Sequence, residues 1–174
     1  MQITVGECLK IAKDCEREIY RLMRQRAEEA FVYHDKDEEP PCPQTGVFNL
    51  TEKITELSIK ARLLRKKVAE KNLDTFLDCS IEGQKITLAE GITLLGQLLR
   101  ERDEIQSFVG VSPQKKERSG LAGQYQYKTI TYDLESMEDY ARRTDENIRK
   151  LRTAIDKANV TTNVQFTPEE QAIL

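Results

Sequence analysis

A helix that repeats its apolar residues every 3.5 positions needs a partner, and the stretch from Leu134 to Ala158 keeps that repeat without a miss. Leu134, Met137, Ala141, Thr144, Ile148, Leu151, Ile155 and Ala158 follow one another in steps of three and four. Such a period draws one narrow seam along a helix, and a helix that keeps the seam in contact supercoils to the left. At 1.5 Å per residue the rod is roughly 37 Å long. Local propensity alone does not hold a helix of that length in water, so partner helices are required.

The remaining chain offers three. Thr4-Val5-Gly6-Glu7 has the form of a capping box and opens a first helix, whose inward stripe is Val5, Cys8, Ala12, Cys15, Ile19, Leu22 or Met23, Ala27 and Ala30. Residues 31–49 interrupt it, because Asp35-Lys36-Asp37-Glu38-Glu39-Pro40-Pro41 combines charge with two prolines. Asn49-Leu50-Thr51-Glu52 reads as a second box, with a seam at Leu50, Ile54, Leu57, Ala61, Leu64 and Val68. Thr87-Leu88-Ala89-Glu90 reads as a third, with Leu88, Ile92, Leu95, Leu99 and Ile105 facing in and Leu94, Leu98 and Phe108 widening the stripe. Between the last two, apolar residues flank Glu82-Gly83 and predict a small hairpin over about 76–86.

The expectation is an all-α chain: an antiparallel, up-down-up-down four-helix bundle with that hairpin at one end. The helices are expected at about 5–30, 50–71, 88–108 and 134–158, in one domain over 1–163. Lys115-Lys116-Glu117-Arg118 reads as a solvated loop, Tyr125 to Tyr132 is strand-like in composition, and Asp133 caps the last helix. Residues 164–174 read as a separate tail in which Thr167-Pro168-Glu169-Glu170 starts a single turn that docks Ile173 and Leu174.

Charge narrows the partners. Lys and Arg total 27 and Asp and Glu 30, for a net charge of −3, so no global field favours nucleic acid or an anionic membrane. Met1 to Glu7 lacks a basic and apolar leader pattern, and no run reaches the twenty or so apolar residues of a membrane span, which points to the cytoplasm. Cys8, Cys15, Cys42 and Cys79 form no Cys-x-x-Cys and read as small hydrophobes rather than a disulfide or zinc framework.

Several positions taken in order resemble the septicolysin-like family of uncharacterised bacterial proteins: Asn72, Thr75, Gly83, Thr87-Leu88-Ala89-Glu90, Arg102-Asp103, Asp133-Leu134, Arg149, Leu151, Ile155 and Asn159. The likeness spans roughly residues 50–163, with Val160 where the family usually has Trp. It implies an α-helical, self-associating protein and supplies no mechanism. The family name hints at a cytolysin. A pore, however, needs a long apolar helix or an amphipathic barrel strand, and neither is visible here.

Chemistry is sparse. His34 stands among Asp35, Asp37, Glu38 and Glu39 with Cys42 near, a set that matches no defined metal cage and reads as a solvated acidic loop. Glu101-x-x-Glu104 and Glu135-x-x-Glu138 resemble the paired-carboxylate helices of all-α nucleotide pyrophosphohydrolases, where such pairs hold Mg²⁺. In a chain one-third charged, i,i+3 acid pairs also arise freely. One histidine excludes a diiron bundle. Arg102 falls where the seam Leu95–Leu99 asks for another leucine, so a buried ion pair is expected, with Asp133 as first partner and Asp103 adjacent. Asn72 and Asn159 read as helix ends.

The functional expectation is a non-enzymatic, self-associating interaction module without catalytic residues, metal or cofactor. The alternatives are an enzyme acting on a small ligand or nucleotide through metal-bound carboxylates, and a membrane-active protein.

Overall fold

A computed structural model describes residues 2–39, 46–81, 83–118 and 125–174. In chain order they form β1 (Gln2–Thr4), α1 (Val5–Glu29), α2 (Gly46–Asp74), β2 (Phe76–Ile81), β3 (Gln84–Thr87), α3 (Leu88–Ile105), β4 (Gln114–Arg118), β5 (Tyr125–Thr129), α4 (Leu134–Thr161), β6 (Asn163–Gln165) and α5 (Pro168–Gln171). The strands make three two-stranded antiparallel sheets, β1–β6, β2–β3 and β4–β5. Five helices and six strands among the described residues replace the expected four-helix bundle. The chain divides into two compact units, Met1–Thr75 with Lys157–Leu174, and Phe76–Asp156.

The first unit is built on α1 and α2. Glu16 takes both guanidinium arms of Arg65, at 2.7 and 2.9 Å, and Arg26 donates to the Thr51 hydroxyl at 3.1 Å. As the α1 number rises its partner's number falls, so the two helices run antiparallel. Their seams meet in a core of Val5, Cys8, Ala12, Leu64 and Val68, which Val164 and Phe166 complete. Of the expected α1 stripe, Leu22 is buried and Met23, Ala27 and Ala30 are exposed. Burial pushes the Cys8 thiol up to about 11, helped by the neighbouring Glu7 carboxylate.

Residues 164–174 belong to this core. β6 pairs with β1, and the Val5 amide donates to the Thr162 carbonyl at 2.9 Å. Thr167 and Glu170 form a full capping box, and Glu170 also meets Lys67 at 2.8 Å. Leu174 packs against the core while Ile173 stays 43% exposed.

The boxes at Thr4 and Thr87 form as read, each with the reciprocal threonine and glutamate bonds. Asn49 does not start a helix, because α2 begins at Gly46 and carries Leu50 onto the buried side. Thr51 instead bonds back to the Val47 carbonyl at 2.8 Å.

In the second unit α3 lies on the β2–β3 hairpin, whose turn uses Gly83 at φ +80°. Gly91 is buried there because Leu77 reaches over it: a Cβ at Gly91 would sit 2.3 Å from the Leu77 Cδ1. That contact turns Ile92 outward, 46% exposed, against its place in the expected seam. On α4 the later part of the seam is buried at Thr144, Ile148, Leu151, Ile155 and Ala158, while Leu134, Met137 and Ala141 are half-buried. Lys115 to Arg118, read as loop, is strand β4, since its backbone finds a ladder on β5 that no local signal announces.

Candidate functional site

The β4–β5 ribbon and the segments at its base are exposed along their whole length or border a cleft. Register sets Gln114 against Thr129, Lys115 against Lys128, Lys116 against Tyr127, Glu117 against Gln126 and Arg118 against Tyr125. Alternation along the strands then separates two faces. One carries Lys116, Arg118, Tyr125 and Tyr127, with the Lys116 ammonium 4.1 Å from the centre of the Tyr125 ring. The other carries Lys115, Glu117, Gln126 and Lys128. All ten ribbon residues are exposed, Tyr125 by 58% and Tyr127 by 61%.

At the base of the ribbon the Ile130 amide donates to the Pro113 carbonyl at 3.1 Å. Tyr132 donates its hydroxyl to the Phe108 carbonyl at 2.7 Å and meets the Phe108 ring edge-on, with centroids 5.9 Å apart at 88°. These contacts shape a cleft of about 600 Å³ floored by Phe108, Val111, Ile130 and Tyr132. The lysine face of the ribbon forms its wall.

The sequence-derived residues lie elsewhere. Arg102 does not reach Asp133. It takes the next residue, Asp103, at 2.7 and 3.2 Å, and the Arg102 side chain stays 34% exposed. Asp133 caps α4, accepting from the Ser136 amide and hydroxyl, and the Ser136 side chain holds its carboxyl below the usual range. The Arg102 guanidinium is pushed up chiefly by its bond to Asp103, with Asp145 adding a weaker attraction. Burial of an arginine was the wrong premise, because α3 turns that position toward its own partly solvated flank.

Glu101 accepts a hydrogen bond from the Tyr140 hydroxyl, which raises that phenol above its ordinary value. Glu104, Glu135 and Glu138 are exposed. His34 is exposed and its Nδ1 lies 3.0 Å from the Asp35 carbonyl. Cys42, with Pro40 and Pro41, lies outside the described residues. Among the described residues no group of three or more His, Cys, Asp or Glu side chains converges to hold a metal ion. The Asn72 Oδ1 is buried without a hydrogen-bond partner, and α2 runs on past Asn72 to Asp74, so Asn72 does not end the helix. The strand-like composition over 125–132 matches β5, Tyr125–Thr129, whereas the loop reading of 115–118 misses β4 and so the ribbon as a pair.

No protein-family model matches the sequence, and no curated protein matches it. A crystal structure of a functionally unknown conserved protein from Corynebacterium diphtheriae is similar, with TM-score 0.67 at 17% identity over 95% of this chain and 100% of the other. The likeness is one of fold. Among the described residues no helix is long and apolar enough to cross a membrane.

Proposed function

We propose that this chain is a non-enzymatic helical interaction module that associates with further copies of itself, working in the cytoplasm. The observation that carries the reading is the β4–β5 ribbon, whose ten residues are all exposed. A two-stranded ribbon with neither face covered is marginal in water and gains stability when another surface covers it. Its edges differ. β4 carries Lys115, Lys116, Glu117 and Arg118, the kind of charge that protects an edge, whereas β5 carries Lys128 alone.

Two copies of β5 paired antiparallel about a two-fold axis at Tyr127 set Tyr127 on Tyr127, Tyr125 on Thr129 and Gln126 on Lys128. No like charges meet, and aromatic pairs stabilise such a contact. The same pairing of β4 about Lys116 opposes two lysines. Kinship with the septicolysin-like family, which rests on the order and spacing of positions from Asn72 to Asn159, is part of this proposal. Light scattering tests the reading. The expected result is a multiple of 20.1 kDa at roughly tens of micromolar, and a monomer throughout that range overturns it.

A further inference from the structure

The inner face of the ribbon poses a separate problem. Lys115 and Lys128 stand directly opposite one another on it, and like charges so placed work against the pairing that holds them. Glu117, 3.6 Å from Lys115, offsets one of the two. Among the described residues Lys128 has no ion-pair partner. Both lysines face a cleft of about 600 Å³ with a floor of aromatic and aliphatic side chains, and Ser107 and Ser112 also line it. That volume lies within the range of small-molecule sites, which join an apolar lining to a few convergent polar groups.

We propose that this cleft binds a small monoanionic molecule with an apolar body, a carboxylate carried on an aromatic or short aliphatic frame. Two ammonium groups and one carboxylate leave a single positive charge on the wall, which one carboxylate neutralises and a phosphate monoester exceeds. The carboxylate sits between Lys115 and Lys128, where it converts their repulsion into two attractions. The apolar body lies on Phe108 and Tyr132, which their mutual ring contact and the Tyr132 hydroxyl bond hold in place. Order of that kind before binding lowers the entropic cost of capturing a ligand.

The probe is 1-naphthoate, followed by amide chemical shifts of the full chain. Its neutral counterpart 1-naphthalenemethanol and the cation 1-naphthylmethylammonium serve as comparisons. Saturable shifts are expected at Phe108, Lys128, Ile130 and Tyr132 with naphthoate, with the alcohol weaker by about tenfold and the cation weaker still. Lys128→Gln should weaken naphthoate by a similar factor, and Lys128→Arg should retain it. Equal binding of acid and alcohol, shifts confined to other regions, or no effect of Lys128→Gln would each overturn the proposal. Tyr127→Lys lies on the opposite face, so it should leave naphthoate binding intact even where it disrupts self-association. Loss of binding in that variant would mean that the site is not formed by one chain.

Discussion

The α1–α2 pair and the β4–β5 ribbon solve the same problem to different degrees. In the pair, Val5, Cys8 and Leu64 have no exposed surface, and two short strands and a capped turn close over them. In the ribbon every residue meets solvent, and two tyrosines stand more than half exposed. The pair is finished within the chain. The ribbon has a hydrogen-bond ladder between its strands, but all ten of its residues stay exposed. Stability and the proposed association therefore belong to different places, and substitutions should separate them.

The largest expected contrast sets Leu64→Ala against Tyr127→Ala. Truncating a fully buried leucine leaves a cavity and should cost about 3 kcal/mol in urea unfolding. Tyr127→Ala should change stability by no more than ~0.5 kcal/mol at concentrations where the chain is dissociated. Equal losses would mean that the ribbon face is packed.

A smaller contrast lies within α3. Gly91→Ala places a methyl against buried Leu77, and crowding of this kind costs about 1–3 kcal/mol, more than the helix gains. Gly96 has open space on the same helix, so Gly96→Ala should stabilise by about 0.5–1 kcal/mol. Opposite signs are the prediction. If both stabilise, the hairpin does not rest on α3.

Next come the caps. Thr87→Ala should cost about 1 kcal/mol. Glu90 gives the pH signature, because the Thr87 amide and then its hydroxyl hold that carboxyl below its ordinary value of 4.5. A group depressed on folding contributes stability above its unfolded value, and loses it as pH falls through the folded one. Acid unfolding of the parent should therefore steepen below about pH 4.5, Thr87→Ala should lessen the Glu90 share by the hydroxyl's part, and Glu90→Gln should remove it. An NMR titration of Glu90 that stays at 4.5 in the parent would contradict this.

The smallest effect is expected at Arg102. Its partner Asp103 is 70% exposed, so Arg102→Met should melt in urea close to the parent. A clear loss would restore the buried pair.

The sequence spoke most plainly where a rule is local. The α4 seam from Thr144 to Ala158 and the boxes at Thr4 and Thr87 depend on residues three or four apart, and each forms as read. It misled where distant chain decides the outcome. Asn49 has the letters of a cap, yet α2 already runs through it from Gly46. Gln2–Thr4 and Asn163–Gln165 pair across almost the whole chain, and three-residue strands leave no periodicity to detect. Lys115–Arg118 lacks β-branched residues, so only its partner at 125–129 reveals it as a strand. The cleft was invisible for the same reason, since Lys115 and Lys128 become neighbours through register alone.

Hydrogen exchange on β5 across a concentration series tests self-association through the ribbon most directly. The account predicts that amides of Tyr125 to Thr129 slow as the chain goes from roughly 1 to 100 µM, while core amides of α1 and α2 do not change. β5 amides that exchange at the same rate at every concentration would contradict it.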